Sequence, residues 1–144
     1  ALILEELWYL IGALSNERVA GFAVRIFKIL RGMGGIAIGG TQELYDCFSL
    51  EEGKYGKAIL NNTRLKFIFP MEEEEMAFAR EKLNLTDGEV MQRSRNPRGE
   101  CLFGVGRTRV SVSIHASRMI HDLITTDRED MLNRNRRETG AEKG

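Results

Sequence analysis

Proline and cysteine are scarce in this chain, at 2 residues each in 144; tryptophan occurs once, and acidic and basic residues cancel at 21 each. Few prolines, with 42% hydrophobic and 29% charged residues, exclude a disordered or fibrous polypeptide and leave a globular one. Cys47 and Cys101 lie far apart and form no Cys-x-x-Cys pair, which argues against a disulfide-stapled or zinc-bound scaffold and for a reducing, cytoplasmic setting. Zero net charge removes any global positive field, so contact with nucleic acid or an anionic membrane has to be local. No apolar run approaches the roughly 20 residues of a membrane span. Ala1 to Leu4 is apolar but meets Glu5 and Glu6 at once, which excludes a signal peptide. The chain opens inside that apolar run without a methionine, as part of a longer protein is expected to.

Hydrophobic periodicity supplies the elements. Residues 1–4 suit a buried parallel strand ending at the two carboxylates. Over residues 16–30, Val19, Phe22, Ala23, Ile26, Phe27 and Leu30 recur at three- and four-residue spacing, predicting an amphipathic helix that stops at Gly32. The small and β-branched stretch 35–41 reads as a strand buried on both faces, followed by a short helix over 42–47. Residues 57–60 and 65–69 read as two more strands, and 71–83 as a helix whose first turn carries Glu72 to Glu75, a solvated acidic start. Thr86 with Glu89 predicts a capping box and a short helix. A polar loop over 93–99 containing Asn96-Pro97 then leads to a hairpin, strands 100–105 and 108–115, turning at Gly106-Arg107. Strands alternating with helices imply parallel α/β winding over 1–124, and 125–144 is expected to be a charged tail.

Chemistry concentrates at the end of the first strand. Leu2-Ile3-Leu4-Glu5-Glu6 places two acids at the carboxyl edge of a parallel sheet, where α/β proteins bind ligands. One acid there can hold a magnesium shell and its neighbour can polarise an attacking water. A strand end running into an acidic helix start accounts for the same five residues. Gly39-Gly40-Thr41-Gln42 brings an amide to a second strand end; such an amide can orient water beside the carboxylates, or cap the next helix. Arg31 closes a helix that also carries Arg25 and Lys28, and cations are favoured at helix carboxyl ends without any further role. His115 and His121 lack a partner carboxylate at a diagnostic spacing and read as structural; Trp8 and Tyr9 read as core, Arg107 and Arg109 as solvated turn residues, and Arg134, Arg136 and Arg137 as a solvated tail.

Taken in order, Leu2-Ile3-Leu4-Glu5-Glu6-Leu7-Trp8 resembles a Walker B segment with its trailing tryptophan. Lys28-Ile29-Leu30-Arg31 leading to Gly34-Gly35 and Thr41-Gln42 is similar to the next block of the same family. Asn61-Asn62, Leu85-Thr86-Asp87, Gly99-Glu100-Cys101-Leu102 and Leu123-Ile124-Thr125-Thr126-Asp127 continue the match. The family is that of conjugative type IV secretion ATPases, in the branch found on Gram-positive mobile elements.

The resemblance implies a partial RecA-like P-loop fold of three layers, α/β/α, in an ATP- and Mg2+-using motor that assembles as a hexamer on the cytoplasmic face of the secretion channel. Channel and coupling proteins are its implied partners; DNA contact and peripheral membrane association stay open as expectations, although the charge balance does not indicate DNA. Carried over by residue, Glu5 falls where the family has a magnesium-associated aspartate, Glu6 on the catalytic glutamate, Gln42 on the strand-end sensor and Arg31 on a basic residue facing a neighbour's phosphates. Glu5 departs from the family by one methylene, which shifts the metal. No Gly-x-x-x-x-Gly-Lys-Ser/Thr occurs, so the backbone nest for the β- and γ-phosphates is not among these residues, and the chain alone is expected to be inactive. In this class the strand preceding that nest is central, between the strand ending at Thr41 and the one expected to end at Asn62, so the sheet here should show unpaired edges. The competing expectations are a non-catalytic docking module of the conjugation machinery and part of a related DNA-pumping ATPase.

Overall fold

A computed structural model of the chain describes residues 1–93, 99–128 and 130–132. The loop expected at 93–99 and the basic residues Arg134, Arg136 and Arg137 fall largely or wholly outside the described residues. The chain divides into two units, Ala1–Val112 and Ser113–Gly144.

The first unit begins with strand β1 (Leu2–Leu4), which enters helix α1 (Leu7–Ile11) through Glu5 and Glu6. Helix α2 (Glu17–Gly32) follows and ends at the expected glycine. Its start is fixed by Asn16, whose Oδ1 accepts from the backbone N–H of Arg18 and Val19 at 3.1 Å each. Strand β2 (Ala37–Gly39) then pairs in parallel with β1, Ile3 opposite Ile38. Leu4 and Ala37 pack on a core of Leu7, Ile11, Ala20, Ala23, Val24, Phe27, Cys47, Tyr55 and Ile59. The opposite face carries Ile3 and Ile38, exposed at 62% and 49%. The expectation of strands buried on both faces is thereby corrected: among the described residues one face of the pair packs on the core and the other is exposed.

Residues 57–60 are not a strand. They belong to helix α3 (Lys54–Asn62), because Tyr55 and Ile59, one turn apart, both reach the core while Lys57 points to solvent. Gly56 permits the helix to lie against the carbonyl of Cys47, which an added Cβ would approach to 2.5 Å. The short helix expected over 42–47 is a single 3-10 turn, Asp46–Phe48, preceded by irregular backbone. Gly12 seats α1 on that turn: a Cβ there would come within 2.7 Å of the carbonyl of Asp46.

Strand β3 (Leu65–Ile68) pairs antiparallel with β4 (Glu100–Val105), which turns through Gly106-Arg107 into β5 (Thr108–Ser113), the hairpin expected from the sequence. Helices α4 (Glu73–Leu83) and α5 (Asp87–Arg93) lie between β3 and β4 in sequence. Ile68, Met76, Ala79, Leu85 and Leu102 form the second core. The capping box is present: the Thr86 N–H donates to Glu89 at 2.8 Å, and the Glu89 N–H to Thr86 Oγ1 at 3.3 Å. Arg109, expected in solvent, instead donates to the carbonyls of Leu83 and Asn84 at 2.5 and 3.2 Å, closing the carboxyl end of α4, and pairs with Glu89 at 3.3 Å.

The second unit contains helix α6 (Arg118–Ile124), capped by Ser117, whose Oγ accepts from the Ile120 N–H. His121 stands 3.8 Å from Asp130, a carboxylate partner that its sequence spacing did not signal.

Candidate functional site at the carboxyl edge of the parallel strands

Two backbone hydrogen bonds tie the ends of β1 and β2 together. Gly40 N–H donates to Leu4 and Leu7 N–H donates to Gly40, both at 2.9 Å, so the residues between Leu4 and Leu7 face those after Gly40. Gly39 allows this closeness, since a Cβ there would sit 3.0 Å from both Leu7 and Phe27.

Glu6 is the centre of the arrangement. Its backbone is left-handed, φ 51 and ψ 52, a conformation that costs a non-glycine residue roughly 1–2 kcal/mol and that concentrates at functional positions. Both carboxylate oxygens are engaged. The Trp8 indole N–H donates to Oε2 at 2.7 Å, and the Gln42 side-chain amide donates to Oε1 at 3.3 Å. Of the two acids, Glu6 meets the amide that was read separately from the sequence. Glu5, beside them, is exposed and makes no hydrogen bond or ion pair among the described residues.

Arg31 does not join this group. It lies in the last turn of α2, which returns the chain to the start of β2, where the Leu2 N–H meets the Ile36 carbonyl, at the other end of the strand pair.

Two contributors were missed in the sequence. Trp8 is half-buried and holds the glutamate rather than simply filling the core, while Tyr9 is 60% exposed rather than buried. Glu75, in the tract read as solvated, accepts from the N–H groups of Leu44 and Tyr45 at 2.9 and 3.3 Å and so anchors the segment that follows Gln42. The indole's spacing from Glu6 was visible, but its role depends on the left-handed turn between them; Glu75 had no local signal. Acid gathers around this segment: the Glu43 carboxyl is pushed above its ordinary range, first by its hydrogen bond with Asp46, then by desolvation and by the charges of Asp46, Glu75 and Glu6. Cys47 beneath is raised to about 11, mainly by burial, and is an inert core thiol.

Among the described residues no group of three or more side chains converges as a preformed metal cage. Beside the site, a cleft of about 310 Å3 runs between β2 and β3, lined by Gly40, Gln42, Leu65, Phe67 and, at its base, Phe27 and Ile59. The outer edges of β2 and β3 are unpaired among the described residues; the gap was expected between β2 and a strand ending at Asn62, but that segment is helix α3 and the facing edge belongs to β3.

Parallel strands with an acid–amide pair at their carboxyl edge, backed by helices and followed by an antiparallel hairpin, define a partial α/β segment of the RecA-like P-loop class. Among solved structures the chain is similar to VirB4 of Thermoanaerobacter pseudethanolicus, with a TM-score of 0.75 and 26% identity over 82% of this chain. This chain is therefore VirB4-like, and the resemblance to the type IV secretion ATPases holds in fold. It spans 31% of the length of that VirB4 chain. No protein-family model and no curated protein sequence matches it. No helix among the described residues is long and apolar enough to cross a membrane.

Proposed function

We propose that this chain is the catalytic-edge portion of an ATP-hydrolysing motor that energises conjugative type IV secretion. The observation that carries the reading is Glu6: strained, at the carboxyl edge of two parallel strands, with both carboxylate oxygens held by Trp8 and Gln42. A carboxylate fixed in this way is oriented to accept a proton from an attacking water, while the amide of Gln42 orients that water and responds to the γ-phosphate. Glu5, free of internal partners, is positioned to reach the hydration shell of magnesium. When bound, magnesium supplies charge neutralisation at the phosphates. Arg31, exposed on α2, is available to a neighbouring subunit of a hexameric ring rather than to its own site.

The phosphate-binding loop is outside these residues, so the chain alone does not turn over ATP. The cleft between β2 and β3 receives the strand that precedes that loop, which places the loop beside Glu6. The resulting ring works at the cytoplasmic face of the membrane against the channel and coupling proteins.

The test is ATP turnover by the longer protein, native and with Glu6→Gln or Glu5→Asp. Glu6→Gln is expected to lower turnover about 10²–10⁴-fold, the range for loss of a positioned general base. Glu5→Asp is expected to keep or raise it. A native protein that neither binds nor hydrolyses ATP with magnesium would overturn the motor reading.

A further inference from the structure

A second recess, of about 510 Å3, lies against the β3–β4–β5 sheet and contains none of Glu5, Glu6, Gln42 or Arg31. Lys66, Lys82, Arg107 and Arg109 line it, and no acidic side chain does among the described residues. In a chain with zero net charge, four cations around one recess is a local concentration of a single sign.

The sheet register builds it. Lys66 on β3 lies opposite Gly104 on β4. A Cβ added at Gly104 would sit 3.5 Å from Arg109 Cγ and 3.9 Å from Lys66 Cβ, so the two cationic stems flank a position that has no side chain. Glycine leaves the floor open between them. Arg107 stands at the adjoining turn, and Asn61 and Asn84 also line the recess.

The charges in this recess are incompletely matched. Arg109 is partly satisfied by Glu89 and by the carbonyls at the end of α4. Lys82 is neutralised by Glu81 at 2.6 Å and lies over the Phe78 ring, but Lys66 has only the Thr63 carbonyl, and Arg107 has no ion pair among the described residues. Burial, and then the charge of Arg109, lower the Lys66 pKa, as expected for a half-buried cation facing another cation without a carboxylate between them. An anion seated over Gly104 would relieve this repulsion and accept from several donors at once.

We propose that the recess over Gly104 is a phosphate-binding site, formed by Lys66, Arg107 and Arg109. It accepts a phosphate group, whether of a free phosphate or nucleotide or of a nucleic-acid backbone. The site is independent of the ATPase reading, because it uses no residue of the Glu6 edge.

Calorimetric titration of the 144-residue chain with pyrophosphate, and separately with a short oligodeoxythymidylate, tests it. Arg107→Ser, on an exposed turn, is the decisive variant, and Lys66→Met keeps the aliphatic stem; Arg109 is left intact because it closes α4. Saturable binding by the native chain, weakened at least about tenfold in Arg107→Ser, is the expected result, since a charge-assisted hydrogen bond contributes about 1.5–3 kcal/mol. Should Lys66→Met lose its native circular dichroism, Arg107→Ser still decides. An oligonucleotide bound tenfold or more tightly than pyrophosphate assigns the site to a nucleic-acid backbone; equal or weaker binding assigns it to free phosphate. No saturable binding of either probe, or binding unchanged in Arg107→Ser, overturns the proposal.

Discussion

The Trp8 indole and the Gln42 amide each restrain one oxygen of Glu6, at 2.7 and 3.3 Å, and the shorter contact is the stronger. Replacing Trp8 by phenylalanine keeps an aromatic ring and removes the donor. A hydrogen bond to a charged group contributes about 1.5–3 kcal/mol, so Trp8→Phe in the longer protein should reduce kcat roughly tenfold or more while leaving KM for ATP within a factor of about two. Equal kcat in the two proteins would assign the indole to packing alone. The acids and the glutamine were legible because their chemistry is carried by residue type at strand ends. The tryptophan was legible only as an aromatic, since the contact exists only once Glu6 turns left-handed, and nothing in Glu-Leu-Trp encodes that turn. Glu75 was hidden for a different reason: among four consecutive glutamates, the one that faces Leu44 is selected by tertiary packing.

Helices with explicit ends were read well, and short apolar runs were not. Asn16 and Gly32 bracket α2 chemically, and Thr86 with Glu89 starts α5; each signal is local and survives in the fold. Residues 57–60, too short for periodicity to separate strand from helix, became helix because Tyr55 and Ile59 share a buried face. Glu89 also gives α5 a testable pH response. Burial tends to raise its pKa, but the Thr86 N–H and hydroxyl and then Arg109 outweigh it, and the carboxyl is held below its ordinary value. A depressed folded pKa means that the stabilisation is complete above the unfolded value, near 4.5, and disappears as pH falls through the lower folded value. Glu89→Gln should therefore melt several degrees below the native chain at pH 7 and converge on it at more acid pH, which thermal unfolding monitored by circular dichroism can follow. Melting curves that stay parallel across that range would mean the capping box contributes through its neutral hydrogen bonds alone.

The two sheets of the first unit are more than neighbours in sequence, because each presents an unpaired edge to the same cleft. Hydrogen bonds from β2 to β1 use Ile36, Ile38 and Gly40, so the backbone groups of Ala37 and Gly39 point outward. Gly106 N–H donates to the Arg64 carbonyl, and the alternation of an antiparallel pair then turns Leu65 and Phe67 outward on β3. Their side chains are exposed as well, each at 54%. An edge with both free backbone groups and apolar side chains favours strand addition. If the cleft accepts the strand before the phosphate loop, amide exchange at Ala37, Gly39, Leu65 and Phe67 should be fast in this chain and roughly 100-fold slower in the longer protein. Ile38, already bonded to β1, serves as the internal control and should change far less. Exchange at all five positions that is the same in both proteins would mean that the cleft stays open in the motor, and the phosphate loop would then have to reach Glu6 by another route.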